Sequence, residues 1–340
     1  MLDFYYSNRL TSKLSSGLSS VYNAILSLKS QINLFGYSHN EAKTIIETIM
    51  KDYPDLYYFN FNLVQYQPSP QGTVIRLTYY DYDLDLFERE VNEITLEIDK
   101  RLNNQSTDYD IIKIIYDVIV ERVSYDYDAF NRFGEVDQNS HDQLSEYFNN
   151  YGHCFNMYGV IVLKRAVCMG MSHAIKYFMN RYRIECAFLE CEHFVEGSAD
   201  TYPHAINVIE YDNQCYYLDA SKGKFDNMDM LRYDFFMVNQ ERVNNYYQIN
   251  ENFECNDDSI EYFEKEKLTF KNVYDLRKYL DGFSYKSTKG LILFKYKGKV
   301  KKDYLEKVIE ENIGRRCGSM YGIDGFVVID NYGYCKISKR

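Results

Sequence analysis

Apolar and polar residues alternate along this chain with two periods, and the places where the period switches predict its elements. Residues 10–31 keep a helical spacing diluted by serines. Ser38 followed by Glu41 has the form of a capping box and opens a helix over about 39–51. Two strand-like runs come next, YYFNFNLVQY at 57–66 and TVIRLTYY at 73–80, joined by the turn-forming PSPQG. A charged helix is predicted over 84–104, where Asn103, Asn104 and Gln105 break it. A second begins near Thr107, and its run YDIIKIIYDVIVERV is apolar on a broad face. Residues 126–153 read as a polar loop, and CFNMYGVIVL at 154–163 as a short buried helix.

From Cys168 onward apolar residues fall at Met171, Ala174, Ile175, Phe178, Met179 and Tyr182, one face of an amphipathic helix. Strand signals dominate 184–220. After Asn239 the chain turns acidic and loses periodicity, which predicts a linker over 240–268. The tail alternates a helix at 271–281, the strand GLILFKYK, a helix at 303–313 and the hairpin-like FVVIDNYGYCKI. The expected organisation is an N-terminal helical and β-hairpin region at 1–105, a core at 106–239, the linker, and a small α/β unit at 269–340.

Composition narrows the partners. With 39 Lys+Arg against 50 Asp+Glu the net charge is −11, so a nucleic-acid partner is disfavoured. The richest basic run, KYKGKVKK at 295–302, is short. No apolar run approaches the roughly 20 residues that span a bilayer, so no membrane partner is expected. The N-terminus, MLDFYYSNRLTSKLSS, lacks the pattern of a signal peptide. The eight cysteines show no small-scaffold framework spacing, and the expectation is free thiols in a cytoplasmic protein. Tyrosine is abundant, at 36, and tryptophan is absent.

Three residues stand out for their chemistry. Cys168 lies where a helix begins, and unpaired N–H groups with the helix dipole favour a thiolate there. Downstream, YPHAINVIEYDNQCYYLDASKG reads as two strands around a tight turn at Asp212–Asn213. A two-residue loop pairs Tyr211 with Gln214 and so sets Asp219 opposite Ile206. His204 is then a diagonal neighbour of Asp219, with Cβ atoms about 7–8 Å apart or less. A nucleophilic cysteine needs a base, and the base needs a carboxylate to fix its tautomer. Soft ligands also occur at His153–Cys154 and at Cys186, Cys191 and His193, but their spacing matches no common zinc pattern, so no metal is expected. His173 reads as a surface or core histidine, His39 as a first-turn helix residue and His141 as a loop residue.

The run MYGVIVLKRAVCMGMSHAIKYFMNRYRIECAFLEC, then PHAIN, then YYLDAS, resembles the transglutaminase-like superfamily. That family's pattern is Gly-Val-Cys-x-Gly, then His-Ala-Trp-Asn, then Tyr-x-x-Asp-x-Thr. The helix end VERVSYDYD also resembles that of bacterial members, and the resemblance extends over about 39–225. It implies an α+β fold with a papain-like core, in which a helix bearing Cys168 packs on an antiparallel sheet bearing His204 and Asp219. Cys168 would attack a peptide or glutamine carboxamide carbonyl of a protein or peptide substrate. His204 would shuttle the proton and Asp219 would orient it, with no cofactor. The Cys168 N–H, and more weakly the Tyr125 hydroxyl, would hold the oxyanion. Three positions depart from the pattern: Ala166 for glycine, Ile206 for tryptophan and Ser221 for threonine. Ile206 changes the wall beside the histidine and so bears on substrate class. Hydrolysis, deamidation and amine transfer all fit this triad, and hydrolysis is favoured. The alternative is a peptide- or protein-binding module with a relic site.

Overall fold

The computed structural model describes residues 2–137, 139–225, 228–283, 289–314 and 321–339. Helices and strands are mixed, and the chain divides into two compact units. Met1–Lys222 and Asn239–Asn256 form the first, Gly223–Val238 and Asp257–Arg340 the second.

In the first unit the helices Ser12–Leu26 and His39–Asp52 cover a three-stranded antiparallel sheet of Gln31–Phe35, Gly72–Arg76 and Gln65–Ser69. The capping box is present, with Ser38 accepting from the Glu41 N–H and Glu41 accepting from the Ser38 N–H. Val21, Ile25, Ile45, Ile49, Phe59 and Ile75 are buried together between these layers. The run 57–66 is not a strand, because short 3-10 turns occupy Pro54–Leu56 and Phe61–Leu63 and the strand starts only at Gln65. The Asn60 side chain accepts from the Asn62 N–H, a local bond that competes with a strand ladder.

The supposed loop at 126–153 holds two helices, Tyr127–Glu135 and His141–Tyr151. Asp126 and Ser140 cap them, so His141 is a helical residue. Their polar faces are exposed, and Phe133, Leu144, Tyr147, Phe148 and Tyr151 gather around Leu63. The expected short buried helix at 154–163 is present in broken form, a 3-10 turn at Gly152–Phe155 and then a helical run over 157–163 that is π-wound at Gly159–Leu163. Lys164 ends that run at a φ of 58°.

The core of this unit is an antiparallel sheet in the order Tyr247–Gln248, Cys186–Phe194, Thr201–Tyr211, Gln214–Leu218. The helix Cys168–Arg181 packs on it, turning Met171, Ala174, Ile175, Phe178 and Met179 inward. The first of these strands comes from the segment expected to be a linker. Residues 240–256 instead belong to this unit, with a helix at Gln240–Asn244 and a buried Val243. They are tied down by a disulfide between Cys215 and Cys255. The expectation of free thiols is therefore wrong for these two residues, and with it goes the argument from thiols to a reducing compartment. Cys154, Cys168, Cys186 and Cys191 remain thiols and are buried.

The second unit is built on a four-stranded sheet in the order Thr269–Phe270, Lys289–Tyr296, Tyr332–Lys339, Tyr321–Ile329. Only the first pair is parallel. The helices Val273–Phe283 and Lys302–Gly314 bring Leu276, Leu280, Val308 and Ile309 onto Ile292 and Phe294. Two buried carboxylates sit here. Glu261 takes the Lys295 ammonium and a 2.7 Å bond from the Tyr332 hydroxyl. Asp234 takes Arg232 at 2.8 Å and the Tyr334 hydroxyl at 2.7 Å. No helix among the described residues is long and apolar enough to cross a membrane.

Candidate active site

Cys168 is the first residue of its helix, and Val167 before it is extended, with no side chain capping the turn. The first N–H groups are thus left to whatever stands at the helix end, and the dipole favours an anion there. Gly170 explains part of the local sequence. A Cβ on it would lie 2.5 Å from the Cys154 carbonyl oxygen and 2.9 Å from that of Asn156. Only glycine lets the helix start come this close to the preceding turn.

The sheet supplies the other two residues. Asp212 and Asn213 adopt φ of 50° and 59°, as a two-residue hairpin turn of the primed kind requires. Tyr211 pairs with Gln214 and Asn207 with Leu218, which is the expected register. Asp219 follows directly, and its Oδ2 lies 2.9 Å from His204 Nε2. Helix and sheet are stitched together beside the pair. Ser172 Oγ donates to the Ala205 carbonyl at 3.0 Å, and Asn207 Nδ2 donates to the Ser172 carbonyl at 3.0 Å.

His204 and Asp219 are both buried, so their charges act on each other strongly. Burial alone disfavours the imidazolium, but the Cys168 sulfur and the Asp219 carboxylate outweigh it, and His204 is pushed up to about 10. Burial would also raise Asp219, yet His204, then Lys222 and Ser221, hold its carboxyl well below the usual range. With Nε2 engaged by Asp219, the other ring nitrogen, Nδ1, is buried, and the Cys168 side chain is the ring's other hydrogen-bonding neighbour. The ring is therefore fixed from one side while its second nitrogen is left to the sulfur.

Four contributors join the triad, three of which the sequence did not single out for this role. Tyr247 donates its hydroxyl to Asp219 Oδ2 at 2.6 Å and stacks on the His204 ring, with centroids 5.2 Å apart and planes 6° from parallel. It supplies the wall beside the histidine. Burial, then Asp219, holds its phenol well above the ordinary range, so it stays a donor. Ser221 secures the other carboxylate oxygen, through its N–H at 2.9 Å and its hydroxyl at 2.6 Å. His193 and Tyr202 close the cage edge-on, their centroids 5.6 Å and 6.3 Å from that of His204. The hydroxyl-bearing residue after Asp219 was a legible signal; Tyr247, 28 residues beyond Asp219, had none.

Tyr125 is brought near by a short parallel pairing of Ser124–Tyr125 with Arg165–Ala166, two residues before the cysteine. Burial, then the charges of Cys168 and Asp219, push its phenol up, which keeps it a hydroxyl donor beside the sulfur. The other expected residues fall elsewhere. His173 is buried in the core. Cys191 is paired opposite His204 in the ladder, but burial, then Asp219 and Cys168, push its thiol well up and keep it protonated. Cys186 and Cys191 are five apart on one strand and so point to opposite faces. Cys154 donates to Asp126 at 3.4 Å. No cluster of three potential metal ligands occurs among the described residues.

No family model matches the chain, and no curated protein matches it. Among solved structures it is similar to that of a TGase, at 14% identity and a TM-score of 0.34, over 56% of this chain and 49% of that one. It is also similar to a candidate cysteine protease from Cytophaga hutchinsonii, at 12% identity and a TM-score of 0.27, over 55% and 65%. A candidate protease from Parabacteroides distasonis aligns at 7% identity and a TM-score of 0.26, over 81% and 61%. The chain thus spans about half the length of the first of these.

Proposed function

We propose that this protein is a thiol-dependent acyl hydrolase or transferase of the transglutaminase-like kind, acting on peptide or glutamine carboxamide bonds, with hydrolysis its main reaction. The observation that carries this reading is the 2.9 Å bond from His204 Nε2 to Asp219, with the Cys168 side chain, at a helix start, acting on the same ring. A carboxylate that fixes the tautomer, an imidazole aimed by it and a thiol at a helix N-terminus are what thiol acyl transfer requires.

In the reaction the Cys168 sulfur attacks the carbonyl carbon, and the carbonyl oxygen becomes an oxyanion held by the Cys168 N–H with the Tyr125 hydroxyl as second donor. One such donor is typically worth about 2.7–4 kcal/mol of barrier. The imidazolium gives its proton to the leaving nitrogen, and the C–N bond breaks to leave a thioester. His204 then takes a proton from water, whose oxygen attacks the thioester carbon; the acid leaves and the thiolate–imidazolium pair returns. An amine in place of water gives transfer. Asp219 stays ionised throughout, and Tyr247 and Ser221 keep it in place.

The test is the alkylation rate of each thiol against pH, read peptide by peptide in the folded protein, followed by peptide hydrolysis. Cys168 should react fast, keep reacting at pH 5, and lose that acid-side reactivity in His204→Ala. If peptides bind but Cys168 is unreactive and no amide is cleaved or exchanged, the protein is a binding module and the enzyme reading fails.

A further inference from the structure

Beside the nucleophile the first unit holds a cavity of about 310 Å3, at the small end of the range for ligand sites and so sized for one side chain. Met169, the residue after Cys168, lines it together with Met50 and Phe61. These three pack in the same apolar cluster as the Cys168 side chain, which sets the cavity next to the sulfur. Phe61, Val64, Phe155 and Met169 are half-buried, and the buried Met50 and Phe59 lie with them in the wall.

The polar groups of the lining are closed off, already engaged, or confined to the rim. His173 Nε2 and the Tyr80 hydroxyl have essentially no exposed surface. Asn156 is buried, with its amide nitrogen donating to the Tyr82 hydroxyl and the Gly152 carbonyl and its amide oxygen accepting from the Tyr158 N–H. Lys43, Glu47, Asn62 and Glu190 are exposed, and the Tyr66 phenol stands near the Glu47 carboxylate. The charges of this rim are matched in pairs, Lys43 with Glu47 at 3.6 Å and Glu190 with Lys51 at 2.7 Å, so it offers neither sign in excess.

We infer that this cavity is a subsite for a large apolar side chain, that of leucine, methionine or phenylalanine, on a substrate residue next to the attacked carbonyl. Such a side chain gains by leaving water for the phenylalanine and methionine wall. The two methionines, unbranched and polarisable, let the wall fit branched and aromatic shapes alike. A glutamine carboxamide placed here would leave water without recovering its hydrogen bonds, and a charged side chain would lose more. The cavity therefore favours peptide cleavage at an apolar residue over reaction at a glutamine side chain. This assignment rests on the proposed function only for its use in catalysis; the recognition itself needs no thiol.

The experiment therefore uses the full chain carrying Cys168→Ala and measures binding of N-acetylleucinamide and N-acetylglutaminamide by NMR titration. The leucine compound should bind more tightly by about 10-fold or more. Val64→Asp sets a charge in the wall and should erase that preference. Met169→Ala removes part of the wall and should weaken leucine binding by about 3- to 5-fold while leaving glutamine binding unchanged. Either variant alone decides the point. In the native protein N-acetylleucinamide should slow alkylation of Cys168. Equal affinity for the two compounds, tighter binding of the glutamine one, or a leucine preference that the variants do not move overturns the assignment. Should the native protein cleave no amide while the preference persists and answers to the variants, the pocket stands and the hydrolase reading falls. Cleavage with no preference for an apolar residue does the reverse.

Discussion

Buried carboxylates in the two units are held in one way and serve different ends. In the first unit Asp219 binds His204 and accepts from the Tyr247 hydroxyl, and in the second Glu261 binds Lys295 and accepts from the Tyr332 hydroxyl. In each the cation also lies against the tyrosine ring, His204 stacked on Tyr247 at 5.2 Å and Lys295 over Tyr332 at 5.3 Å. The cation makes the difference. Lys295 spends its charge inside the cluster, neutralising Glu261. An imidazole has a second nitrogen that can pass a proton on, and here the Cys168 sulfur is among the groups that raise it. The arrangement is structural until its cation has somewhere to send a proton.

The strongest way to break the comparison is Glu261→Ala, which strands the Lys295 ammonium. Unfolding of the second unit in urea should become easier by about 3–5 kcal/mol, with Cys168 alkylation unchanged. A loss under 1 kcal/mol would mean that Lys295 finds water. Asp219→Asn keeps the shape but removes the charge that fixes His204, so alkylation of Cys168 at pH 5–6 should fall about 100-fold while the fold survives. A variant that alkylates normally would show that the carboxylate does not aim the ring.

Tyr247→Phe and Tyr332→Phe each delete one hydroxyl from a buried carboxylate and should each cost about 1–3 kcal/mol of stability. Only Tyr247→Phe should also move the His204 titration, followed by its imidazole NMR shift. If Tyr332→Phe moved it too, the two clusters would not be independent. A further effect is a pH slope. His204 is raised from 6.5 to about 10, so its contribution to stability is complete below about 6.5 and is lost as pH climbs through about 10. Asp219 is lowered from 3.8, so its contribution is complete above that value and is lost on acidification. Denaturation midpoints from pH 5 to 9.5 should therefore decline on the alkaline side. Cys168→Ala should flatten that decline, because the sulfur helps hold the proton on His204.

Local signals were legible in the sequence because their chemistry is local. The Ser38 box, the cysteine helix and the Asp212–Asn213 turn are each written in a few neighbouring residues, and the turn alone fixes where Asp219 meets His204. The helices at 127–135 and 141–151 escaped because much of their surface is wet and few of their residues are fully buried, Ala129 in the first and Tyr147 and Phe148 in the second. Tyr247 escaped for another reason. A two-residue strand has no period, and its place beside Cys186–Phe194 is set by long-range pairing of Tyr247 with His193. The acidic, aperiodic character that suggested a linker belongs to residues that Cys255 and the sheet hold in place.

The bond between Cys215 and Cys255 makes a covalent ring of the chain between them, two positions separated by 40 in sequence. That ring contains Asp219 and Tyr247, and also residues 223–238, which belong to the second unit. A protease that nicks the backbone inside 223–238 therefore cannot part the carboxylate from the tyrosine that shields it: the two fragments stay one molecule. After reduction the same nick leaves the Tyr247 strand on a separate polypeptide, held to the site by hydrogen bonds and packing alone.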